Sequence, residues 1–168
     1  MKYEDLADEF CSVARAVSLL GDRWTFMILR EAFLGVRRFD QMHARLGISR
    51  TLLSDRLTLL VEAGVFQRCP YTDERRTQHE YRLTAKGMDL YPVVLAMRTF
   101  ADQHMSPEGP IVVSRHKDCT GVAQIHVTCS DCGHDLVARD VTAEPGPGMR
   151  TAQASAAAGA GQAAEFLD

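Results

Sequence analysis

The chain has 168 residues, a formal net charge of −3, and 46% hydrophobic against 24% charged residues, a composition typical of a globular protein. No stretch approaches the roughly 18 consecutive apolar residues of a transmembrane helix, and the acidic N-terminal sequence MKYEDLADEF is unlike a signal peptide. We therefore expect a cytoplasmic protein with no membrane partner. Five cysteines, an odd number, argue against a disulfide framework and for free thiols or metal ligands.

Charge is distributed unevenly along the chain. Residues 36–86 hold 10 basic and 6 acidic residues, a local excess of +4, whereas residues 105–168 hold 4 basic and 8 acidic residues. A local positive field steers a protein toward phosphates even when its total charge is negative. The middle of the chain is therefore compatible with nucleic-acid binding, although basic residues also serve simply to solvate a surface.

The N-terminal part of the chain predicts two helices. Residues 3–20 alternate acidic and apolar groups at helical spacing, with Val13, Val17 and Leu20 on one face. Asp22 suits the N-cap of a second helix, RWTFMILREAFLG, which is apolar on more than one side. We expect this second helix to be central to the core.

A helix-turn-helix is predicted in the middle of the chain. A short helix at about residues 39–46 is followed by Gly47-Ile48-Ser49 and then by a longer helix at about residues 49–63. The glycine permits a sharp turn, the isoleucine fills the angle between the helices, and the serine can cap the second helix. The apolar face of that helix consists of Leu53, Leu57 and Leu60. Its other face is free to read DNA.

A β-hairpin is predicted directly after this reading helix. Residues 65–68 suit a short strand, residues 70–78 are turn-like and charged, and residues 79–84 alternate as a returning strand. We interpret the hairpin as the wing of a winged helix-turn-helix.

Thr84 is expected to cap a last helix at residues 84–104 that carries an apolar stripe. Pro92 should kink this helix unless it lies near the helix start. We interpret the stripe, together with the N-terminal helix, as a dimerisation seam; the alternative is that it only closes the core of one monomer. The stripe consists of Leu90, Val93, Val94, Met97, Phe100 and Ala101.

Four candidate metal ligands stand in two pairs beyond the last helix. They are His116, Cys119, Cys129 and Cys132. The second pair, in a CxxCG arrangement, forms a knuckle in which two thiolates converge on one metal, and the first pair would complete a tetrahedral zinc site. His126 and His134 are rival fourth ligands. The alternative is that the three thiols are unligated, and zinc is not expected to be required for DNA binding.

The predicted fold is mainly α with a small β-hairpin. It is a winged helix-turn-helix that dimerises through its N- and C-terminal helices and is followed by a small zinc-ribbon-like module. We expect the DNA-binding and dimerisation domain at residues 1–104 and the Cys/His module at residues 105–142. Residues 143–168, which are rich in Ala and Gly, are expected to be disordered.

Several motifs occur together between residues 11 and 103. They are an early Cys11, GDRWTFMILRE, GVRRF, GISRTLLSDRLTLL followed by EAG, and EYRLTAKG. With them the chain resembles the HxlR-type family of bacterial winged helix-turn-helix transcriptional regulators. The resemblance implies homodimers that bind pseudo-palindromic operators near promoters, commonly as repressors and sometimes as activators. Cys69, and Phe100 where such proteins often carry tryptophan, depart from the family pattern.

Candidate DNA contacts lie on and around the reading helix. Arg50, Thr51 and Arg56 are expected to make base or groove contacts, and Ser49 and Ser54 to contact the DNA backbone.

Three further arginines flank the reading helix. Arg38 is expected to meet phosphate, and Arg75 and Arg76, at the end of the wing, to enter the minor groove or to meet the flanking backbone. For any single one of these arginines, the alternative is a solvated surface charge.

Cys11 is a separate candidate. Some proteins that the chain resembles carry a cysteine at this place and respond to oxidants or electrophiles, because modification near the dimer seam can shift the spacing of the two reading helices. A buried, inert thiol is the alternative that we favour for Cys11 from the sequence.

The leading hypothesis is a homodimeric regulator of transcription whose partner is double-stranded DNA. No nucleotide-binding loop, nucleophile signature or pair of catalytic acids is evident, so we do not expect an enzyme. The alternative hypothesis is a thiol- or zinc-based sensor or protein-interaction module with little or no sequence-specific DNA binding.

Overall fold

A computed structural model describes residues 11–73 and 76–149 of the chain. Ile125 ends one compact unit and His126 begins a second. No helix among the described residues is long and apolar enough to cross a membrane. The elements of the first unit are α1 Ser12–Leu20, α2 Arg23–Phe33, α3 Phe39–Leu46, α4 Arg50–Glu62, β1 Phe66–Asp73, β2 Arg76–Leu83, α5 Ala85–Met88 and α6 Tyr91–His104.

Two predictions for the chain ends lie partly outside the described residues. The first helix, expected from residue 3, is described only from Ser12, and the tail expected at residues 143–168 is described only as far as residue 149. The second unit contains one short 3₁₀-helix, Ala138–Asp140, within its described part.

The second helix, α2, is central to the core, as expected. Its N-cap is Asp22, whose carboxylate accepts hydrogen bonds from the amide N–H groups of Trp24 at 2.9 Å and Thr25 at 3.4 Å. Ile28 and Leu29 are fully buried within the same helix. Local capping and apolar burial thus both favour a helix here.

The helix-turn-helix is confirmed. α3 ends at Gly47, which adopts the left-handed conformation with φ +65°, a backbone conformation that glycine accepts without strain. Ile48 is buried beside the turn, and the Ser49 side chain accepts a hydrogen bond from the amide of Leu52 at 3.2 Å, which caps α4. Leu53, Leu57 and Leu60 are all fully buried.

The wing differs from its prediction in length. The strands extend over Phe66–Asp73 and Arg76–Leu83, so most of the segment expected to be a turn, including Pro70, is strand. Pro70 pairs with His79 in a two-stranded sheet. The outer edge of β2 bridges Arg38 through Glu80, whereas β1 has no second strand beside it among the described residues. A proline is tolerated at such an edge because its missing N–H can lie on the unpaired side.

The last helix is broken in two, which corrects the prediction of one helix over residues 84–104. Thr84 does act as an N-cap, but for the short α5, accepting a hydrogen bond from the amide of Gly87 at 3.1 Å. α6 then begins afresh at Tyr91, with Pro92 in its first turn, where the missing N–H costs no intrahelical hydrogen bond.

A joint of hydrogen bonds ties the end of α4 to the base of the wing. The Thr84 hydroxyl donates to the carbonyl oxygen of Gly64 at 2.6 Å, and Lys86 Nζ donates to the carbonyl oxygen of Ala63 at 2.7 Å. A Cβ atom at Gly87 would lie 2.2 Å from the carbonyl oxygen of Val65, so this close approach requires glycine.

Candidate nucleic-acid interface and the Cys/His hairpins

One face of α4 is polar and exposed. The residues on it recur at intervals of three and four, so they share one side of the helix, away from the three buried leucines. They are Arg50, Thr51, Ser54, Asp55 and Thr58. Thr58 was not among the predicted contacts, although its position two helical turns after Thr51 could have identified it from the sequence.

The N-terminal end of this face is held in place by α3. Arg50 Nη1 lies 2.8 Å from Asp40 Oδ1, and the Arg50 guanidinium carbon lies 4.9 Å from the centroid of the Phe39 ring. Both charged side chains are about two-thirds exposed, so the pair is screened by water and contributes little to stability. Arg50 therefore keeps its hydrogen-bonding groups accessible while its approach to α3 limits its orientation.

Arg56 lies on a different side of α4 from the exposed face. Its Nε atom lies 3.3 Å from Asp22 Oδ1, and only 31% of its side chain is exposed. The sequence could not reveal this contact because Asp22, the cap of α2, is far away along the chain. Arg56 ties α4 to the start of α2, and we leave it out of the proposed base contacts.

Arg38 lies against the wing. It is the N-cap residue of α3, and its guanidinium carbon lies 4.4 Å from the centroid of the Tyr71 ring in β1. The Tyr71 hydroxyl donates to Gln78 Oε1 at 2.9 Å, which connects the two strands through their side chains. The stacked guanidinium joins the start of the helix-turn-helix to the wing.

Two predicted wing contacts are not described. Arg75 lies outside the described residues, and Arg76 begins β2 but its side chain is not among those described. Their contacts with DNA stay predictions.

A buried carboxylate links α2 to α3. The side chain of Glu31 is 1% exposed, and it is paired with Arg30 at 2.5 Å and with Arg45 of α3. Burial alone raises the pKa of Glu31, but the hydrogen bonds and charges of Arg45 and Arg30 outweigh it and hold that pKa below its ordinary value. Glu31 is therefore an anion that fixes the first helix of the motif against the core.

A groove lined by residues of α1, α2 and α6 is apolar, in contrast to the exposed face of α4, which is polar. Val13 is 70% exposed, Val17 is 37% exposed and Val93 of α6 is 42% exposed. The groove has a volume of about 320 Å³ and no charged residue in its lining, which also includes Leu20 and Phe26. Apolar side chains left in water at both predicted dimerisation helices mark a surface suited to burial by another chain.

The first Cys/His pair lies in a tight hairpin turn of the first unit. Arg115 bridges Val122 in antiparallel fashion, and the amide of His116 donates to the carbonyl oxygen of Gly121 at 2.9 Å. His116 Nδ1 lies 3.3 Å from Cys119 Sγ, so the two donor atoms face each other.

The second pair lies in a similar turn of the second unit. Thr128 bridges Asp135, and the amide of Cys129 donates to the carbonyl oxygen of His134 at 2.9 Å. Backbone amides of Cys132 and Asp131 donate to the Cys129 thiol and lower its pKa.

The described residues contain no group of three or more His, Cys, Asp or Glu side chains that could hold a metal ion. Each donor pair is formed within its own hairpin, and zinc binding stays a prediction.

Cys11 is exposed at the N-cap of α1, so the expectation that it would be buried is wrong. Its thiol makes no capping hydrogen bond. Whether Cys11 senses oxidants stays a prediction. Cys69 is half-buried in β1, and the five cysteines are all free thiols.

The comparison with known proteins agrees with this geometry. A family model described as HxlR-like helix-turn-helix matches residues 19–109. The uncharacterized HTH-type transcriptional regulator Rv3095 of Mycobacterium tuberculosis is 46% identical over 158 residues, which cover 92% of this chain and 99% of that protein. The HTH-type transcriptional regulator YodB of Bacillus subtilis is 33% identical over 93 residues, or 55% of this chain and 82% of that protein.

Among solved structures, the crystal structure of PA1607, a proposed transcription factor, matches with a TM-score of 0.76 and 32% identity. The match covers 84% of this chain and 99% of that chain.

Proposed function

The chain belongs to the HxlR-like helix-turn-helix family and is a DNA-binding regulator of transcription, and on that premise we propose that it binds a two-fold operator as a homodimer through α4. The observation that carries this proposal is the division of α4 into a fully buried apolar face and an exposed polar face, directly after the Gly47 turn. An α-helix fits the major groove, and exposed hydrogen-bonding side chains are what distinguish base pairs there.

Within α4, Arg50, Thr51 and Thr58 are the residues that we propose for base edges. Arginine donates two hydrogen bonds to guanine, and threonine offers both a hydroxyl and a methyl group to the groove. Asp55, on the same exposed face, is restricted to positions where it can accept from a cytosine amine, because phosphates repel it.

Contacts to phosphate are proposed from residues around α4. Ser49 and Ser54 are exposed near its first turn, where the helix dipole favours an anion. Arg38 lies at the wing, and Arg75 and Arg76 follow along the hairpin sequence. The local excess of positive charge in residues 36–86 supports the same role.

The homodimer is proposed through α1 and α6. We propose that a second copy of the same chain covers the groove beside Val17 and Val93. A two-fold axis would place the apolar surface of one copy against the same surface of the other. Two α4 helices would then enter successive major grooves of one operator. The exposed Met97 and Phe100 extend this apolar surface along α6.

The first arm of the test selects duplexes from a random pool with the full chain. We expect two related half-sites in inverted orientation, about 10 base pairs or a multiple of that distance apart, and the mass of a dimer by light scattering. A single asymmetric site bound by a monomer would overturn the homodimer.

The second arm compares two matched arginine variants on the selected duplex. Arg50 and Arg23 are each the first residue of a helix that follows a side-chain N-cap, and each guanidinium carbon lies near an aromatic ring, at 4.9 Å and 5.0 Å. We expect Arg50→Ala to weaken binding at least about tenfold, whereas Arg23→Ala stays close to wild type.

Fluorescence anisotropy at fixed salt gives both affinities, and urea unfolding checks that neither variant is globally destabilised. A repeat over several salt concentrations separates the two kinds of contact, because loss of a phosphate contact reduces the salt dependence whereas loss of a base contact leaves it unchanged. Equal affinities for wild type, Arg50→Ala and Arg23→Ala would contradict the assignment of α4 as the reading helix.

A further inference from the structure

A cavity of about 390 Å³ lies in the first unit, beside the end of α2 and the base of the wing. Part of its lining is apolar and comes from α2, β2 and α5. The apolar residues include Ala32, Phe33, Leu83 and Met88. The cavity shares no residue with α4 or with the apolar groove of α1 and α6. A space of this size is typical of sites for small organic molecules.

Three basic residues line the same cavity. They are Arg37, Arg82 and Lys117, and they come from three separate parts of the first unit. No acidic residue is among the described residues that line it. A cleft whose charges have one sign concentrates ligands of the opposite sign. The lining as a whole therefore favours a ligand that has both an apolar body and a negative charge.

Arg37 is held beside the wing by its backbone. Its carbonyl oxygen accepts a hydrogen bond from the amide of Tyr81 in β2 at 2.8 Å, and the next residue, Arg38, bridges Glu80 of the same strand. The Arg37 side chain is exposed and forms no ion pair with any residue that the structure describes. Its guanidinium is therefore available to a ligand while its backbone position is fixed.

Arg82 already has an acidic partner. It is paired with Gln67 across the two strands, so both residues lie on one face of the sheet. Arg82 Nε donates to Glu80 Oε1 at 2.5 Å, and the Glu80 side chain is only 14% exposed. This contact orients Arg82 and offsets its charge. The positive charge that remains for a ligand comes mainly from Arg37 and Lys117.

Lys117 belongs to the segment after α6. Arg98 Nη2 of α6 donates to Ser114 Oγ at 2.9 Å, and the amide of Ala123 donates to the carbonyl oxygen of Ser114 at 2.8 Å. These bonds tie the hairpin that carries Lys117 to α6. Lys117 is exposed, and among the described residues no carboxylate is paired with it. The segment after α6 thus adds a cation to a cavity whose other lining residues belong to α2, α5, the wing and the turn after α2.

We propose that this cavity binds one aromatic carboxylate per chain. The aromatic body packs against Phe33, Leu83 and Met88, because rings and the methionine sulfur make favourable contacts with an aromatic ligand. The carboxylate accepts charge-assisted hydrogen bonds from Arg37 and Lys117. The proposal concerns ligand binding alone and is measured without DNA, so it can fail while the homodimer and the reading helix stand, and the reverse.

The test is isothermal titration calorimetry of the full chain with 2-naphthoate. Two matched probes separate the parts of the ligand, since 2-naphthylmethanol keeps the rings without the charge and acetate keeps the carboxylate without the rings. We expect one 2-naphthoate per chain with a dissociation constant below about 1 mM. Each matched probe is expected to bind at least about tenfold more weakly. Absence of saturable binding, or equal affinity for either matched probe, would overturn the proposal.

The variants Arg37→Gln and Lys117→Gln test the charged part of the site. We expect each to weaken 2-naphthoate binding at least about fivefold and to leave 2-naphthylmethanol binding unchanged. Arg68→Gln is the matched control, because Arg68 is exposed and follows Gln67 on the opposite face of β1. Binding of 2-naphthoate that is unchanged in Arg37→Gln, or weakened as much in Arg68→Gln, would overturn the assignment.

The variant Met88→Gln tests the apolar part of the site. The Met88 side chain is 55% exposed, so a polar side chain of similar length is tolerated there. We expect Met88→Gln to weaken 2-naphthoate and 2-naphthylmethanol by the same factor, whereas the arginine and lysine variants affect only the anion. Urea unfolding of each variant checks that the fold is retained. An effect of Met88→Gln on neither probe would place the ligand elsewhere and overturn the proposal.

Discussion

The winged helix-turn-helix and the residues after α6 are held by different kinds of interaction. Among the described residues from 11 to 104 eleven hydrophobic side chains are buried, several of them completely, whereas between residues 105 and 149 none is. The first region can therefore leave polar groups on its surface for binding, because its stability comes from apolar burial. In the second region the structure shows backbone hydrogen bonds within each of the two hairpins, such as that from the His116 amide to Gly121 and that from the Cys129 amide to His134.

The largest effect that we predict tests this contrast directly. Leu57→Ala removes a fully buried side chain of α4, so we expect the free energy of unfolding to fall by about 2–5 kcal/mol. Val137→Ala is the matched control in the second region; its side chain is 55% exposed, and we expect a change below about 0.5 kcal/mol.

Urea unfolding followed by circular dichroism at the helix band measures both variants. Similar losses of unfolding free energy in the two variants would mean that the residues after α6 rely on apolar burial as much as the winged unit does. That result would contradict the difference between the two regions.

An intermediate effect is expected from the buried ion cluster, the exception to apolar burial in the winged unit. Glu31→Gln leaves Arg30 and Arg45 without their anion, and because both arginines are about half exposed the expected loss is about 1–3 kcal/mol. The same unfolding measurement at neutral pH gives the value.

The pH dependence of unfolding checks the origin of that loss. The pKa of Glu31 is lowered in the folded state, so its contribution is fully present above the ordinary glutamate value of 4.5 and is lost as pH falls through the folded value. We expect the wild type to lose stability more steeply than Glu31→Gln below pH 4.5. Parallel profiles would show that Glu31 acts through packing rather than charge.

The smallest effect is expected at Arg56. Its ion pair with Asp22 is partly exposed, so Arg56→Ala should lower the free energy of unfolding by about 0.5–1 kcal/mol. Binding to the selected operator should change less than in Arg50→Ala, because Arg56 lies away from the exposed face. A larger loss of DNA affinity than that of Arg50→Ala would restore Arg56 as a base contact.

Features governed by nearby residues were predictable from the sequence. The bounds of α3, the left-handed Gly47 and the caps at Asp22 and Ser49 all depend on neighbours within a few positions. Burial of the three α4 leucines followed from helical spacing alone.

Features governed by distant residues were not predictable in this way. The contact of Arg56 with Asp22, of Glu31 with Arg45, and of Arg38 with Tyr71 each join segments whose proximity depends on the complete fold. The break before Tyr91 was signalled by proline, but its place depended on the packing of α5 against the end of α4. The length of the wing was underestimated because charged residues favour turns in sequence yet are accommodated at the edges of a two-stranded sheet.

The joint at the base of the wing has a mechanical consequence. Thr84 and Lys86 hold carbonyl groups at the end of α4, and the space at Gly87 admits no larger residue. These contacts fix the distance between the reading helix α4 and the strands of the wing within the protein, before DNA binds. We therefore expect a duplex whose grooves already have the matching width to bind without deformation and other sequences to bend or narrow at a cost in binding free energy. Part of the discrimination between operators would then arise where no side chain touches a base.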